Sequence, residues 1–145
     1  MKPRKNQSGF TLLEIIIVII IVGVLASLAL PRFFGTIEFS RSTEASQSIG
    51  VLRASLERCA LPTDDATDCG TLADLDVEDP GNEAGSHFTY DIVIDSGPGR
   101  NYTITATRNS LDGGDGTSTV FLIVVNTGVG KGITRGGTGV FENIK

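Results

Sequence analysis

The chain has 145 residues and a formal net charge of −5, with 18 glycines, one histidine and two cysteines. This length fits a single small domain. The acidic balance argues against nucleic acid as a main partner, because phosphate binding needs a basic surface.

Residues 1–9 form a short basic segment that carries Lys2, Arg4 and Lys5 and no acidic residue. Residues 10–30 follow as an apolar run of 21 residues. A helix of that length, at about 1.5 Å per residue, crosses a hydrocarbon core of about 30 Å. The basic residues before it favour a cytoplasmic N-terminus. The run is too long for a cleaved secretory signal and contains no Ala-x-Ala site, so it indicates a membrane anchor.

The helical pattern continues over residues 31–60, where apolar residues recur at spacings of three and four and polar residues occupy the other face. We expect Pro31 and Gly35 to kink the helix there without ending it. Leu61-Pro62 marks the helix end, because the residue before a proline disfavours helix. The apolar face consists of Ala45, Ile49, Leu52, Leu56 and Cys59.

The two cysteines, Cys59 and Cys69, leave two possibilities open. If this part of the chain is exported, a disulfide is favoured, worth about 2–3 kcal/mol in the chain-entropy model. The alternative is a pair of buried free thiols in a cytosolic protein.

Residues 61–145 are expected to form a globular unit that contains a loop and a small antiparallel sheet of three to four strands. Residues 88–94 and 102–107 alternate apolar and polar side chains, and residues 119–125 form an apolar run typical of a strand covered on both faces. Residues 140–144 are a candidate last edge strand, and the glycine-rich residues 126–139 are expected to be turns. One sheet face should pack on the apolar face of the helix, which gives an α+β fold.

No catalytic motif or cofactor-binding signature is visible, so we expect no enzyme activity and no cofactor. We interpret His87 as a surface or packing residue. Asp112 and Asp115 in "DGGDG" are weak candidates for a calcium site, but an acidic solvated turn is the favoured interpretation. The same holds for Asp64, Asp65 and Asp68.

Glu14 is the one carboxylate in the apolar run, about 6 Å along the helix axis from Phe10. A carboxylate near the end of a membrane helix is tolerated at modest cost, which is one interpretation. The other is that Glu14 awaits a cation. A cut between Gly9 and Phe10 would give Phe10 an α-ammonium that can pair with Glu14 of a neighbouring subunit. Such a buried pair would fix the axial register of an apolar bundle.

The segment "KNQSGFTLLEIIIVIIIVGVLASLALPRF" resembles the class III signal sequence of type IV pilins and type II secretion pseudopilins. The leader ends in Gly9, Phe10 to Glu14 follow in the family's order, and Pro31 falls at the family's helix-kink position. The resemblance covers residues 5–33 and implies the pilin fold: a long helix, a loop and an antiparallel sheet.

The resemblance implies that a prepilin peptidase removes residues 1–9 and N-methylates Phe10. It also implies that Glu14 pairs with a neighbour's N-terminus and that the helix loosens near Gly23 and Pro31. The implied partners are other pilin subunits, the peptidase, membrane lipid before assembly and an inner-membrane assembly platform. The implied location is the bacterial inner membrane, then a periplasmic or cell-surface filament.

Three functions follow from these residues. The first is a structural subunit of a type IV pilus-like filament, favoured by "YTITAT", which resembles a strand common in pilins. The second is a secretion pseudopilin. In major pseudopilins the C-terminal loops usually hold calcium, which "DGGDG" only faintly resembles. The early position of Cys59 and Cys69 departs from many type IVa pilins, whose disulfide lies near the C-terminus. The remote third function is a membrane-anchored periplasmic binding or enzyme domain.

Overall fold

The structure, a computed structural model, describes residues 10–62, 66–95, 101–126 and 130–144. The predicted leader (residues 1–9), Asp64 and Asp65 lie outside these ranges. The chain forms two compact units, one up to Thr36 and one from Ile37 onward. The regular elements are α1 (Leu12–Cys59), β1 (Phe88–Ile94), β2 (Tyr102–Arg108), β3 (Thr119–Asn126) and β4 (Lys131–Gly137). The predicted α+β architecture is confirmed.

Helix α1 runs without interruption for 48 residues and contains Pro31. Proline removes one helical hydrogen bond and crowds the carbonyl four residues earlier, which weakens a helix locally. As the sequence predicts, the helix continues past Pro31. The kink at Pro31 and the loosening near Gly23 remain predictions.

The second unit is held together by one face of α1, formed where apolar residues recur at three and four positions. The buried helix residues on this face are Ser42, Ala45, Ile49, Leu52, Ser55 and Leu56. The apolar members of this set form one core cluster with the inner side chains of the sheet. The predicted packing of helix on sheet is therefore confirmed.

The sheet is an antiparallel meander in the order β1-β2-β3-β4. In β1 and β2 every second side chain is buried, as the alternation in the sequence predicts. Phe88, Tyr90 and Ile92 of β1 lie opposite Arg108, Ala106 and Ile104 of β2, all on the inner face.

The sequence predicts that strand β3 is covered on both faces, but in the structure only one face is buried. Val120, Leu122 and Val124 are buried, whereas Thr119, Phe121 and Ile123 on the other face are only half-buried and Val125 is exposed. The outer apolar side chains lie beside small neighbours instead of a second layer. A Cβ on Gly136 would come within 2.7 Å of the Phe121 ring.

The last strand lies at Lys131–Gly137 and not at 140–144, so the expectation of turns over 126–139 is wrong for these seven residues. Glycine is normally depleted in strands, which hid the strand in the sequence. Here the glycines allow close approach, because a Cβ on Gly137 would lie 2.3 Å from the Phe141 carbonyl oxygen. Residues 139–141 form a short 3-10 turn that buries Phe141, whose ring lies 5.8 Å from that of Phe88.

Cys59, at the end of α1, is joined by a disulfide to Cys69 in the short turn Thr67–Cys69. The Cys69 side chain is buried, and Cys59 packs against the core. The bridge therefore fastens the segment after the helix to the core of the second unit.

We expect the double replacement of Cys59 and Cys69 by alanine to lower the free energy of unfolding by about 2–3 kcal/mol, because the unfolded chain regains the entropy of the open loop. Thermal unfolding of the chain in detergent, followed by circular dichroism, measures this. Reductant should lower the melting temperature of the wild type and leave the variant unchanged. Equal melting temperatures for wild type and variant without reductant would contradict the prediction.

Candidate functional site

The first unit exposes an apolar helix surface. Every large apolar side chain from Phe10 to Leu30 is between 43% and 78% exposed. By length and composition, α1 is the helix among the described residues that can cross a membrane. Because complete burial of one such side chain stabilises by about 1.5–3 kcal/mol, this surface favours lipid or other helices over water.

The start of α1 is fixed by Thr11. Its hydroxyl accepts a hydrogen bond from the backbone N–H of Glu14 at 3.2 Å, and its carbonyl accepts from Glu14 and Ile15. Thr-Leu-Leu-Glu has the spacing of a capping box, in which an acid at the third helical position also favours the positive end of the helix dipole. Glu14 therefore has a local role in starting the helix, which the sequence interpretation missed.

Phe10 lies just before the helix and is 78% exposed. Among the described residues, the Glu14 carboxylate makes no hydrogen bond and no ion pair. Gly9 lies outside the described residues, so the cleavage and methylation positions remain predictions. Phe10 and Glu14 are thus one helical turn apart on an uncovered surface.

A buried arginine in the second unit was not predicted from the sequence. The Arg108 side chain has no exposed surface, and its Nε lies 3.2 Å from the Glu38 carboxylate on α1. Its guanidinium also donates to the carbonyls of His87, Asn109 and Leu111 at 3.0–3.1 Å. Arg108 therefore connects α1, β2 and the loop after β2. A sequence signal existed: Arg108 continues the inward-facing positions of "YTITATR".

Glu57 gathers three donors near the end of α1. Its Oε1 accepts from Arg53 at 3.0 Å and from the buried Tyr102 hydroxyl at 3.0 Å, and it lies 3.2 Å from Lys131 Nζ. Burial alone would raise the pKa of Glu57, but these hydrogen bonds lower it. Burial, followed by the Glu57 contact, raises the pKa of Tyr102. This cluster ties α1 to both β2 and β4.

Asp76 fastens the loop after the disulfide to α1. Its carboxylate accepts from Arg58 at 2.8 and 3.0 Å and from the Ser55 hydroxyl. These hydrogen bonds, with Arg58 the main cause, lower the pKa of Asp76 to about 2. These bonds hold the loop against the face of α1 on which Ser55 is buried.

The metal candidates Asp112 and Asp115 face different partners. Asp112 lies 3.1 Å from His87 Nε2, whereas Asp115 accepts from the Ser118 hydroxyl and from the backbone of Thr117 and Ser118. These Ser118 and Thr117 bonds lower the pKa of Asp115 to about 2. Within the described ranges, no three His, Cys, Asp or Glu side chains are grouped to hold a metal ion. A calcium site at these aspartates remains a prediction. Asp115 organises its own loop, whereas Asp112 contacts His87 ahead of β1.

The depressed pKa values make stability dependent on acidity. Asp76 and Asp115 have pKa values of about 2 in the folded chain against an ordinary 3.8. Their contribution is therefore complete above about pH 4 and is lost as the pH falls toward 2. We expect Asp76→Asn to flatten the fall in melting temperature between pH 4 and pH 2. The exposed Asp91→Asn is the control, and an unchanged slope in Asp76→Asn would contradict the expectation.

Comparison with known proteins supports the N-terminal resemblance. The model of the prokaryotic N-terminal methylation motif matches residues 4–30. The type IV major fimbrial protein FimA of Dichelobacter nodosus is 36% identical over 66 residues, 46% of this chain and 42% of that protein. The type II secretion system core protein G is 43% identical over 54 residues in Aeromonas hydrophila (37% of this chain, 38% of that protein). In Escherichia coli K12 it is 44% identical over 57 residues, 39% of each chain.

The matches span less than half the length of these curated relatives. No solved structure matches the chain. The matched motif and the exposed apolar part of α1 coincide over residues 10–30. The chain therefore carries a prepilin-type N-terminus, and its similarity to the type IV pilin and pseudopilin family is confirmed.

Proposed function

We propose that this chain is a structural subunit of a type IV pilus-like filament and that it has no catalytic role. One observation carries the proposal: the N-terminal methylation motif at residues 4–30 coincides with a helix whose apolar side chains have no protein cover. Such a helix needs an apolar environment, which membrane lipid supplies before assembly and neighbouring helices supply in a filament.

Processing is proposed to occur between Gly9 and Phe10, followed by N-methylation of Phe10. The helix begins at Leu12, two residues after Phe10, and Thr11 between them caps it. The peptidase acts from the cytoplasmic side, where the basic leader is retained.

Assembly is proposed to use the Glu14 carboxylate. After cleavage the Phe10 α-ammonium of one subunit pairs with Glu14 of the next, inside the apolar bundle. The alternative registers leave two charges buried without partners, which costs several kcal/mol. An inner-membrane assembly platform moves subunits from the bilayer into the filament.

Intact mass spectrometry of the assembled protein tests the processing step. The expected mass begins at Phe10, carries one added methyl group and is lower by the 2 Da of the Cys59–Cys69 disulfide. A chain in filaments that begins at Met1 would overturn the proposal.

A second candidate, a type II secretion pseudopilin, is favoured by the identity to core protein G, which is 39–45% against 36% for FimA, although over shorter segments. The two candidates differ in where filaments form. Under the pilus proposal, filaments containing this chain are sheared from the cell surface, and its deletion removes them. If deletion instead blocks secretion of exoproteins and leaves surface filaments intact, the pseudopilin candidate replaces the pilus proposal.

A further inference from the structure

One basic side chain of the second unit, Arg135 on β4, has no partner among the described residues. The other described basic side chains of this unit each pair with a carboxylate of the same chain: Arg41, Arg53, Arg58, Arg108 and Lys131. Arg135 is exposed, and a guanidinium stays charged at physiological pH. Arg135 is therefore free to pair with a carboxylate of another chain.

Arg135 lies at one edge of the sheet. In the described sheet β4 is the last strand, and Arg135 stands opposite Leu122 of β3. Its side chain lines a shallow groove together with Ser46 and Ile49 of α1. A charged side chain on an edge strand opposes strand pairing with another chain. A contact with another chain at this edge is therefore made by the side chain.

The opposite edge of the sheet carries negative charge. The turn Pro80–Asn82 covers β1 there, since a Cβ on Gly81 would lie 3.3 Å from the Phe88 carbonyl oxygen. Between this segment and α1 lies a groove of about 400 Å³. Its described lining contains no basic residue and three acidic ones, Glu44, Glu78 and Glu83. The second unit thus has a cation at one edge of its sheet and a negatively charged groove beside the other.

The charge of this groove is not balanced within the described part of the chain. Glu78 and Glu83 are exposed and make no ion pair with a described residue. Glu44 lies 3.4 Å from His87, which is charged only when protonated. Tyr90 also lines the groove, and burial, followed by nearby carboxylates that include Glu44 and Glu83, raises the pKa of its hydroxyl. The groove therefore favours a cation from outside the chain.

The two surfaces suit a repeating contact. Ser46 and Ile49 beside Arg135, and Glu44 and Ser48 in the groove, belong to the same turns of α1. The surfaces thus lie at the same level along the helix and at opposite edges of the sheet. A contact between two different surfaces of identical subunits is heterologous, and it continues from copy to copy as a ring or an open filament.

We propose that Arg135 of one subunit docks in the groove formed by Glu44, Glu78 and Glu83 of a neighbouring copy. This inference rests on the proposed filament function and names a contact between its globular units. A guanidinium has five N–H donors and can bond to more than one carboxylate at once. Each subunit gives its Arg135 to one neighbour and receives that of another.

Filament yield tests the docking. Arg135→Glu places a carboxylate among three glutamates, where like charges repel. We expect cleavage after Gly9 and the melting temperature to stay unchanged, and the yield of sheared filaments per processed subunit to fall by about tenfold or more. A wild-type yield would overturn the docking and leave the filament function standing. A wild-type chain that is absent from filaments would overturn the filament function itself.

Reversal of both surfaces makes the test specific. Glu78→Arg combined with Glu83→Arg should lower the yield as Arg135→Glu does. Adding Arg135→Glu to this pair should restore assembly, because opposite charges meet again, and a triple variant no better than its parents would contradict the docking. Thr134→Glu is the matched control, since it adds a negative charge at an exposed neighbouring position of β4. It should assemble normally, and an equal loss there would also overturn the proposal.

A cross-link identifies the contact directly. Arg135→Lys keeps the charge and supplies an amine, so this variant should form filaments. A carbodiimide then joins that amine to a carboxylate in contact with it, forming an amide with loss of water. Mass mapping of the covalent multimers should find position 135 joined to Glu44, Glu78 or Glu83, and the monomer should lack this link. Multimers without the link, or a link within the monomer, would overturn the proposal.

Discussion

Replacing Glu14 by glutamine is expected to leave cleavage after Gly9 intact and to reduce filament yield by about a hundredfold or more. The substitution keeps the size and the helix propensity of the side chain and removes only its charge. In the proposed bundle it leaves the Phe10 ammonium buried without its partner, which costs about 3–5 kcal/mol. Each 1.4 kcal/mol is a factor of ten in an equilibrium constant, so about 2 to 3.5 factors of ten are lost. Sheared filaments quantified against total processed subunit give the measurement.

The helix cap provides a necessary control for this experiment. Glu14 also lies in the first turn of α1, so its charge contributes about 0.3–1 kcal/mol to the helix start. Thr11→Ala removes the capping hydroxyl, a loss of about 1 kcal/mol, and keeps the carboxylate. We expect Thr11→Ala to assemble far better than Glu14→Gln, and the exposed Glu142→Gln to assemble normally. Filaments of wild-type yield from Glu14→Gln would mean that the carboxylate serves only the helix start.

Replacing Arg108 by methionine should cause a large loss of stability in the second unit. Methionine keeps the length of the side chain but removes the buried guanidinium that bonds to Glu38 and to three backbone carbonyls. Glu38 keeps its contact with Arg41. Breaking a buried ion pair from one side costs about 3–5 kcal/mol. For a unit of this size that corresponds to a fall in melting temperature of about 12–20 °C. Thermal unfolding of the mature chain in detergent, followed by circular dichroism, gives the value.

Arg135→Met is the matched control, because Arg135 lies on the edge strand β4 and is exposed. Its effect should stay within about 0.5 kcal/mol, as for most surface substitutions. A second comparison is Glu38→Gln combined with Arg108→Met, which removes both charges and should cost less than the sum of the single changes. A melting temperature for Arg108→Met within a few degrees of the wild type would show that the buried guanidinium is not needed for stability.

The elements that the sequence predicts well are those whose periodicity is set by burial of one face. Ala45, Ile49, Leu52 and Leu56 face the core because a helix brings positions three and four apart onto one side. Phe88 and Tyr90 do so because a strand alternates. In both cases the pattern is local, and the two apolar faces pack on each other. The Cys59–Cys69 bridge was one of two alternatives, and the structure forms it.

The missed features depend on neighbours that are distant in sequence. Strand β4 has no apolar alternation to detect, since its pairing with β3 is carried by the backbone and its glycines leave room for Phe121 and Phe141. Arg108 and Glu38 lie 70 residues apart, and neither side chain alone signals burial. The same holds for His87, which lies 3.4 Å from Glu44 of α1 and 3.1 Å from Asp112 in the turn after β2. The local sequence does not reveal contacts between residues that are distant in the chain.

The order of the strands has a consequence for how fast the second unit folds. Each strand of the sheet pairs with the strands next to it in sequence, and the connections are short. Loop closure therefore costs little entropy. Strands that are neighbours in sequence pair faster than strands that are far apart in the chain. The slow step is expected to be the docking of α1, whose hydrogen-bond partners on β2 lie 45 and 70 residues away. A subunit that builds its sheet first spends little time with unpaired strand edges that could join those of another copy.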